Sequence, residues 1–314
     1  MEHMYSSISK KEAFEWAAVQ KSEIFELLHR AHCTRQLYRA DKIDLCSIVS
    51  AKTGGCTEDC SFCAQSRVSA AEIKTHSLLP KEKILESARS AHQQGAKRFC
   101  IVTSGRAASK DALVKIADMI SAIKDAGLLP CATLGLLKSQ EMRLLKDAGL
   151  VRYHHNLETS EAYFTQICST HTYQDKVKTI ITALQSGLSV CSGGIFGLGE
   201  TWEDRIEMAF ALKELNVDSI PINFLSPISG TPLGENECLS PLEALKIIAL
   251  YRLILPDKEI RVCGGRSHTL KQLNSLIFFA GADALLIGNY LTTIGINPED
   301  DIQLIDDLGL DGGK

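Results

Sequence analysis

The chain has 314 residues, with 34 Lys and Arg against 38 Asp and Glu, so its formal net charge is −4. Hydrophobic residues make up 45% and charged residues 23%, a balance that excludes a disordered chain. The slight acidity excludes a protein that binds nucleic acid mainly by charge, and no apolar stretch approaches the ~18 residues that a membrane span needs. The first residues lack the apolar core of a secretory signal, so we expect a cytoplasmic protein.

Eight short β-branched or apolar runs alternate with segments of helical period. The runs predicted as strands are 44–50, 98–103, 129–134, 151–156, 189–196, 218–224, 259–263 and 284–287. Apolar residues recur at helical spacing between them, for example along 113–123 and 242–249. Gly127, Gly149 and Gly187 follow such segments, where a helix commonly ends in the left-handed conformation. Eight βα units in about 250 residues predict a parallel (β/α)8 barrel of the TIM type, with a doubly wound open sheet as the alternative.

We expect one domain rather than two. Residues 1–41 are predicted as a helical segment before the barrel, residues 42–291 as the barrel, and residues 292–314 as a C-terminal extension. No Pro/Gly-rich linker or charged tail divides these parts.

Three of the eleven cysteines fall on one loop after the first predicted strand. Cys56, Cys60 and Cys63 follow Gly54 and Gly55, and we call residues 56–63 the three-cysteine loop. An odd cysteine count in a large chain argues against a disulfide framework. Three thiolates on one loop can hold three irons of a [4Fe–4S] cluster and leave the fourth iron open. The alternatives are a zinc site, for which no nearby residue completes the ligand set, and unligated thiols, which suit a polar loop poorly.

Further polar side chains recur along the later predicted strands, where a barrel interior normally carries Val, Ile and Leu. They are Cys100, Cys131, Asn156, Cys191, Asn223 and Arg261. Each cysteine alone is more often a small buried apolar residue, and a buried guanidinium is costly unless it meets an anion or a metal centre. As a set, the thiols and the guanidinium predict a second, buried iron–sulfur cluster. Cys168 and Cys263 are additional candidates, whereas Cys33, Cys46 and Cys238 are expected to be core or surface residues.

The Cys-x3-Cys-x-aromatic-Cys spacing of the three-cysteine loop resembles the signature of the radical S-adenosylmethionine (SAM) superfamily. The resemblance implies that Cys56, Cys60 and Cys63 bind a [4Fe–4S] cluster whose open iron chelates SAM. It also implies that Phe62 packs beside the adenine, although ordinary core packing is an alternative role for this ring. One electron from the cluster would cleave SAM to methionine and a 5′-deoxyadenosyl radical.

From about residue 40 onward, the chain resembles the biotin synthase family. The runs that carry this resemblance are 54–66, 153–160, 191–200, 221–225, 230–233 and 261–266. The family inserts sulfur between two unreactive carbons of dethiobiotin. The resemblance implies that an auxiliary [2Fe–2S] or related cluster, whose bridging sulfide is the sulfur donor, is ligated by Cys100, Cys131, Cys191 and Arg261. Cys131, Cys191 and Arg261 are therefore the expected catalytic residues.

The resemblance also implies the remaining binding residues. Asn156 and Glu158 match positions that hold the SAM ribose and help to position the substrate, and Asn223 matches a position that faces dethiobiotin. The glycine-rich run of the fifth strand would approach SAM through Gly193, Ile195, Gly197 and Glu200. A tight turn is the alternative role of this run, and Glu200 could instead cap a helix that begins near Thr201.

The chain departs from the usual family pattern at two places. His154 stands where the family has Asn. Cys168 stands where an apolar residue is usual, and His171 stands where an arginine is usual. These differences leave open an auxiliary cluster of another nuclearity or ligand set, with Cys168 in place of Cys100 or Arg261.

The expected partners follow from the resemblance. They are dethiobiotin, an electron donor such as flavodoxin or ferredoxin, and a second copy of the chain in a homodimer, with no nucleic acid and no membrane. The alternatives are another radical SAM barrel enzyme, such as a lyase, a mutase or a hydrogenase-maturation relative, and a non-enzymatic iron–sulfur protein. The first alternative does not require Cys131, Cys191 and Arg261 together, and the second leaves the glycine-rich run of the fifth strand unexplained.

Overall fold

The computed structural model describes residues 6–20, 22–291 and 293–313. The strands are β1 (Asp44–Lys52), β2 (Arg98–Thr103), β3 (Leu129–Thr133), β4 (Arg152–His154), β5 (Ser189–Cys191), β6 (Gly194–Phe196), β7 (Ser219–Phe224), β8 (Glu259–Val262) and β9 (Ala284–Leu286). They pair in parallel in the order β5-β4-β3-β2-β1-β9-β8-β7-β6, and a β5–β7 pairing closes the ring. The predicted (β/α)8 barrel is therefore confirmed, and the open sheet is excluded.

Each predicted strand has its counterpart, with bounds that differ by about one or two residues. The exception is the predicted strand 189–196, which is divided into β5 and β6 at Ser192 and Gly193. The two pieces occupy one of the eight positions around the barrel, because β5 pairs with β4 and β6 pairs with β7.

Helices surround the barrel. They are α1 (Lys10–Ala18), α2 (Glu23–Arg39), α3 (Lys81–Gln93), α4 (Lys110–Asp125), α5 (Ser139–Asp147), α6 (Glu161–Ile167), α7 (Tyr173–Gln185), α8 (Trp202–Glu214), α9 (Pro241–Ile254), α10 (Arg266–Leu270) and α11 (Pro298–Asp307), with a 3₁₀ helix at Lys271–Ile277. The first two lie where helices are predicted before the barrel, and α11 follows β9. The expected start of the C-terminal extension, residue 292, lies outside the described residues. None of the described helices is long and apolar enough to cross a membrane.

Local chemistry fixes the helix ends. Thr201 caps α8, and Asp204 bonds back to the Thr201 amide in a capping box. Gly127, Gly149 and Gly187 follow α4, α5 and α7 with φ of +87°, +104° and +74°. The left-handed conformation predicted at these glycines is therefore confirmed.

Two helices show how well apolar spacing predicts burial. In α4 the buried residues include Leu113, Ile116, Ile120 and Ile123, as the period requires. In α9, Leu245, Ile248 and Ala249 are buried as their spacing indicates, but so is every remaining residue from Ala244 to Ile254. The reason is that α1 and α2 pack against the outer side of α9, which covers the face that would otherwise meet water.

A fully buried ion pair joins α9 to the barrel. The Arg252 guanidinium contacts the Asp283 carboxylate, and its Nε donates to the Gly281 carbonyl at 2.8 Å. Asp283 also accepts from the Ile260 amide at 2.8 Å and from Arg39 Nε at 2.5 Å. One carboxylate therefore links α2, α9 and the start of β8 and β9.

We expect Arg252→Met to lower the free energy of unfolding by about 3–5 kcal/mol, because it leaves the Asp283 carboxylate buried without its main partner. Urea unfolding followed by circular dichroism measures this loss. The matched control is Lys83→Met, since the Lys83–Glu86 pair is more than half exposed on both sides and such pairs contribute about 0–1 kcal/mol. Equal losses in the two variants would contradict the role given to Arg252.

Candidate functional site

The barrel encloses a cavity of about 350 Å³. Parallel strands place their carboxyl ends at one mouth of such a barrel, where side chains from different strands meet. The cavity brings together most of the site residues predicted from the sequence: Phe62, Cys100, Cys131, Asn156, Glu158, Cys191, Ile195, Asn223 and Arg261. We call this space the barrel cavity.

Five thiols line the barrel cavity. Cys100 and Cys131 are register partners in β2 and β3, so their side chains lie next to each other. Cys191 donates to Ser219 Oγ at 3.5 Å. Cys46 and Cys263 also line the cavity. Cys46 is buried, as expected of a core residue, but its position among the other thiols was not predicted. The missed signal is strand alternation, since Cys46 and Ile48 on β1 both face inward.

Burial and nearby arginines act on these thiols in opposite directions. Burial raises the pKa of the Cys131 thiol to about 11, although Arg152 and Arg98 act to lower it. Burial likewise raises the pKa of Cys191, against Arg152 and Arg261. A metal centre needs thiolates, so the arginines favour the form that binds metal.

Five charged residues, which we call the basal charge cluster, close the barrel at the amino ends of its strands. The Arg261 guanidinium contacts the Asp44 carboxylate and donates to Glu259 at 2.6 Å. Arg152 donates to the same Glu259 oxygen at 2.8 Å, and Arg98 donates to Asp44 at 3.1 Å. Three cations face two anions, so the cluster carries one net positive charge beside the thiols. Sequence reasoning identified only Arg261, although charged residues at strand starts were the available signal.

Glycines at the break between β5 and β6 let three chain segments meet. The Gly193 amide donates to Asn156 Oδ1 at 3.1 Å, and Asn156 Nδ2 donates to Glu158 at 3.2 Å. A Cβ on Gly193 would lie 2.0 Å from the Pro221 carbonyl oxygen, and one on Gly194 would lie 2.4 Å from the Glu158 carbonyl oxygen. The glycine-rich run therefore fixes Asn156 and Glu158 at the mouth of the cavity.

Glu200 holds the turn that follows β6. Its carboxylate accepts from the Gly197 amide at 2.9 Å, from the Leu198 amide at 2.7 Å and from Arg205 Nε at 2.8 Å. Gly197 has a φ of +95°. The alternative that Glu200 caps α8 is wrong, because Thr201 is the cap. Neither Gly197 nor Glu200 is among the described residues that line the barrel cavity.

The three-cysteine loop lies at the mouth of the barrel. Cys56, Cys60 and Cys63 are all free thiols, and burial raises the pKa of Cys63, with the charge of Cys56 acting in the same direction. Phe62 reaches from this loop into the lining of the barrel cavity. Three unpaired thiols on one loop beside a cavity are a donor set that fits three irons of a cluster.

Residues 167–171 hold the three-cysteine loop in place. Asp59 accepts from the Ser169 amide at 2.9 Å, and the Ser61 amide donates to the Ile167 carbonyl at 2.9 Å. Cys168 lies on this segment, with its Sγ 3.9 Å from Cys60 Sγ. The hypothesis that Cys168 takes the place of Cys100 or Arg261 is wrong, because its thiol faces the three-cysteine loop.

The histidines that depart from the family pattern lie in different places. His154 lines the barrel cavity, and burial lowers its pKa to about 4, so its ring is neutral near pH 7. His171 lies beside Cys168, and its Nδ1 is 2.5 Å from the Glu58 carboxylate.

Comparisons with known proteins agree with this geometry. The model of the radical SAM superfamily matches residues 51–212, and that of the Biotin and Thiamin Synthesis associated domain matches residues 221–311. A biotin synthase of Thermodesulfovibrio yellowstonii is 55% identical over 92% of this chain and 92% of its own length. A biotin synthase of Heliobacterium modesticaldum is 48% identical over 96% of this chain and 93% of its own.

Solved structures show the same fold at low sequence identity. Methylornithine synthase superposes with a TM-score of 0.84 at 18% identity, covering 97% of this chain and 94% of its own. The FeFe-hydrogenase maturase of Carboxydothermus hydrogenoformans superposes with a TM-score of 0.83 at 17% identity, covering 97% of this chain and 75% of its own.

We expect Gly193→Ala to lower the free energy of unfolding by about 1–3 kcal/mol, since its Cβ would push against the backbone of Pro221. Urea unfolding measures the loss. Gly312→Ala is the control, because a Cβ there meets only ordinary van der Waals contacts, the nearest at 3.6 Å. A Gly193→Ala variant as stable as the control would show that the three segments do not need this close approach.

Proposed function

Because the chain belongs to the biotin synthase family of the radical SAM superfamily, we propose that its barrel cavity is where sulfur is inserted into dethiobiotin. The family's cofactors are a [4Fe–4S] cluster, SAM and an auxiliary iron–sulfur cluster, and its substrate is dethiobiotin. This membership confirms the enzyme class expected from the sequence, a radical SAM sulfurtransferase, over a lyase, a mutase or a non-enzymatic iron–sulfur protein. The observation that carries the proposal for the site is the set of free thiols that share a single cavity with the Arg261 guanidinium.

The proposed division of labour places the radical at the mouth of the barrel and the sulfur donor inside it. When bound, the [4Fe–4S] cluster and SAM supply the 5′-deoxyadenosyl radical that a strong alkyl C–H bond requires, and the auxiliary cluster supplies sulfur. Cys56, Cys60 and Cys63 hold the first cluster. The thiols Cys100, Cys131 and Cys191, together with Arg261, hold the second.

The basal charge cluster prepares the inner part of the site. Arg261 is fixed by Asp44 and Glu259, and Arg152 is fixed by Glu259. Their positive charge favours thiolates at Cys131 and Cys191, which burial alone disfavours. The protein therefore keeps a cavity lined by buried side chains that can still hold anionic ligands.

The outer part of the site orients SAM and dethiobiotin. We assign Asn156 and Glu158 to the SAM ribose and substrate. The Gly193 amide holds the Asn156 side chain at the cavity, and Asn156 in turn donates to the Glu158 carboxylate. Asn223 faces the same space, and its amide is fixed by the Gly194 carbonyl at 3.1 Å and the Gly264 amide at 3.0 Å. Phe62 and Ile195 supply apolar contact, which helps to exclude water from the radical.

In this proposal, Gly193, Gly197 and Glu200 assist SAM binding by shaping the backbone at the mouth of the barrel. Gly193 lets its own segment approach Pro221 on β7 closely, and Glu200 holds the turn at Gly197. These residues act by fixing the course of the backbone, because their own polar groups already make hydrogen bonds within the protein.

We further propose the wider setting of the enzyme. Both family models fall on one closed sheet, which supports a single domain over residues 1–314. Eleven free thiols suit the reducing cytoplasm. A one-electron donor such as flavodoxin or ferredoxin and a homodimer are proposed on the resemblance to the family alone.

The assignment of the first cluster is tested with Cys56→Ala. This change removes one of three ligands, so the variant should form no 5′-deoxyadenosine after anaerobic reconstitution and reduction, whereas Cys33→Ala on α2 should form it normally. Cys56 is chosen because Cys60 has a neighbouring thiol, Cys168, that could replace it. Retained SAM cleavage in Cys56→Ala would overturn the assignment.

The assignment of the sulfur donor is tested with Cys191→Ala, reconstituted with isotopically labelled sulfide. We expect 5′-deoxyadenosine but no labelled biotin, because radical formation does not depend on the inner thiols. The control is Cys238→Ala, which removes an exposed thiol and should give labelled biotin. Labelled biotin from Cys191→Ala would mean that the ligands lie elsewhere, with Cys46 and Cys263 as the next candidates.

A further inference from the structure

A second group of potential metal ligands lies beside the three-cysteine loop. Cys60, Cys168 and His171 each offer one donor atom, and these atoms lie within 4.8 Å of one another. The two sulfur atoms are 3.9 Å apart, and Cys168 Sγ is 3.8 Å from His171 Nε2. Neither the conversion of dethiobiotin nor the ligand sets proposed above give a role to Cys168 or His171.

The spacing of these atoms matches the edges of a tetrahedral metal site. With metal–sulfur bonds of about 2.3 Å and metal–nitrogen bonds of about 2.0 Å, tetrahedral angles place two sulfurs about 3.8 Å apart and a sulfur and a nitrogen about 3.5 Å apart. The observed separations of 3.9 Å and 3.8 Å are close to these values. A small movement of the side chains would therefore complete the site.

The imidazole already has the carboxylate partner that such a site needs, although its ring has to turn. Glu58 holds His171 Nδ1 at 2.5 Å. Cys168 Sγ lies 3.3 Å from Nδ1 and 3.8 Å from Nε2, so the ring must rotate for Nε2 to face the two sulfurs. Glu58 is itself fixed by Thr170 at 2.8 Å and by Arg106 at 3.4 Å. A carboxylate on the far nitrogen of a ligating histidine is the usual way in which proteins fix the ring and strengthen it as a ligand.

We propose that Cys60, Cys168 and His171 form a mononuclear site for Zn²⁺, with the fourth position left to water. Two thiols and an imidazole are the donors that Zn²⁺ favours, and Fe²⁺ binds such sets more weakly. Binding releases the thiol protons and requires no oxidant. The consequence rests on the proposed function, because Cys60 cannot serve this ion and the [4Fe–4S] cluster together. Zinc in this site therefore withholds Cys60 from the cluster.

The site is tested on the full-length, cluster-free chain with Co²⁺ as a spectroscopic probe, under argon and a phosphine reductant. We expect one Co²⁺ per chain, with the d–d bands of tetrahedral geometry and thiolate charge-transfer bands, and its displacement by equimolar Zn²⁺. Cys168→Ala and His171→Ala should each weaken binding at least tenfold.

The matched controls are Cys56→Ala and Cys63→Ala, which remove the other two thiols of the same loop and should leave Co²⁺ affinity unchanged. The proposal is overturned if these two variants lose the ion while Cys168→Ala and His171→Ala keep it, since the ion would then be bound by the three-cysteine loop alone.

A second measurement separates this proposal from the cluster assignment. Equimolar Zn²⁺, added before iron and sulfide, should slow formation of the [4Fe–4S] signal in the unmodified chain but not in Cys168→Ala. If Co²⁺ binds as expected and Zn²⁺ causes no delay, the mononuclear site stands, but Cys60 is not a cluster ligand. Loss of specific Co²⁺ binding would thus contradict the zinc site, whereas the absence of a Zn²⁺ delay would contradict the cluster assignment of Cys60.

Discussion

The charge balance at the amino ends of the strands is the constraint on which the rest of the site depends. Arg152 and Glu259 belong to strands far apart in sequence, and their contact crosses the barrel where apolar side chains would normally fill it. Removing either partner would leave an uncompensated charge in a buried place, so these side chains cannot be exchanged singly. The layer above them is consequently free to carry thiols and amides instead of packed aliphatic residues. An inner cavity exists because the charged layer beneath it already closes the barrel.

The two ends of the cavity are built by different physical means. Charge complementarity fixes the inner end, whereas close backbone approach fixes the mouth. The glycines between β5 and β6 lie close to both β7 and the loop after β4, and the Gly193 amide fixes the position of Asn156. Segment 167–171 then clamps the three-cysteine loop over the opening. Each part of the site is thus held either by backbone contacts or by buried ion pairs. The side chains that would surround a radical therefore have little conformational freedom.

The sequence predicted the features that depend on residues close together in the chain. The strands follow from apolar runs, the helix ends from Gly127 and its counterparts, and the thiol loop from its spacing. What failed depends on contacts distant in sequence. Nothing near Cys168 shows that its segment folds onto the three-cysteine loop rather than into the barrel, and nothing in α9 shows that α2 covers its outer face. Cys46 was missed for a different reason: its neighbours on β1 alternate correctly, but one thiol in a strand is ordinarily apolar filling.

The burial of α9 between α2 and the barrel also affects how the chain is made. Residues of α2 leave the ribosome roughly 200 residues before α9, which at ~5–20 residues per second is a delay on the order of 10–40 seconds. Throughout that interval Leu27, Leu28 and Ala31, which are buried in the finished protein, have no partner helix to cover them. Helix α2 is therefore synthesised long before α9 can cover it, so a nascent chain exposes an apolar surface that chaperones would recognise until α9 has been synthesised.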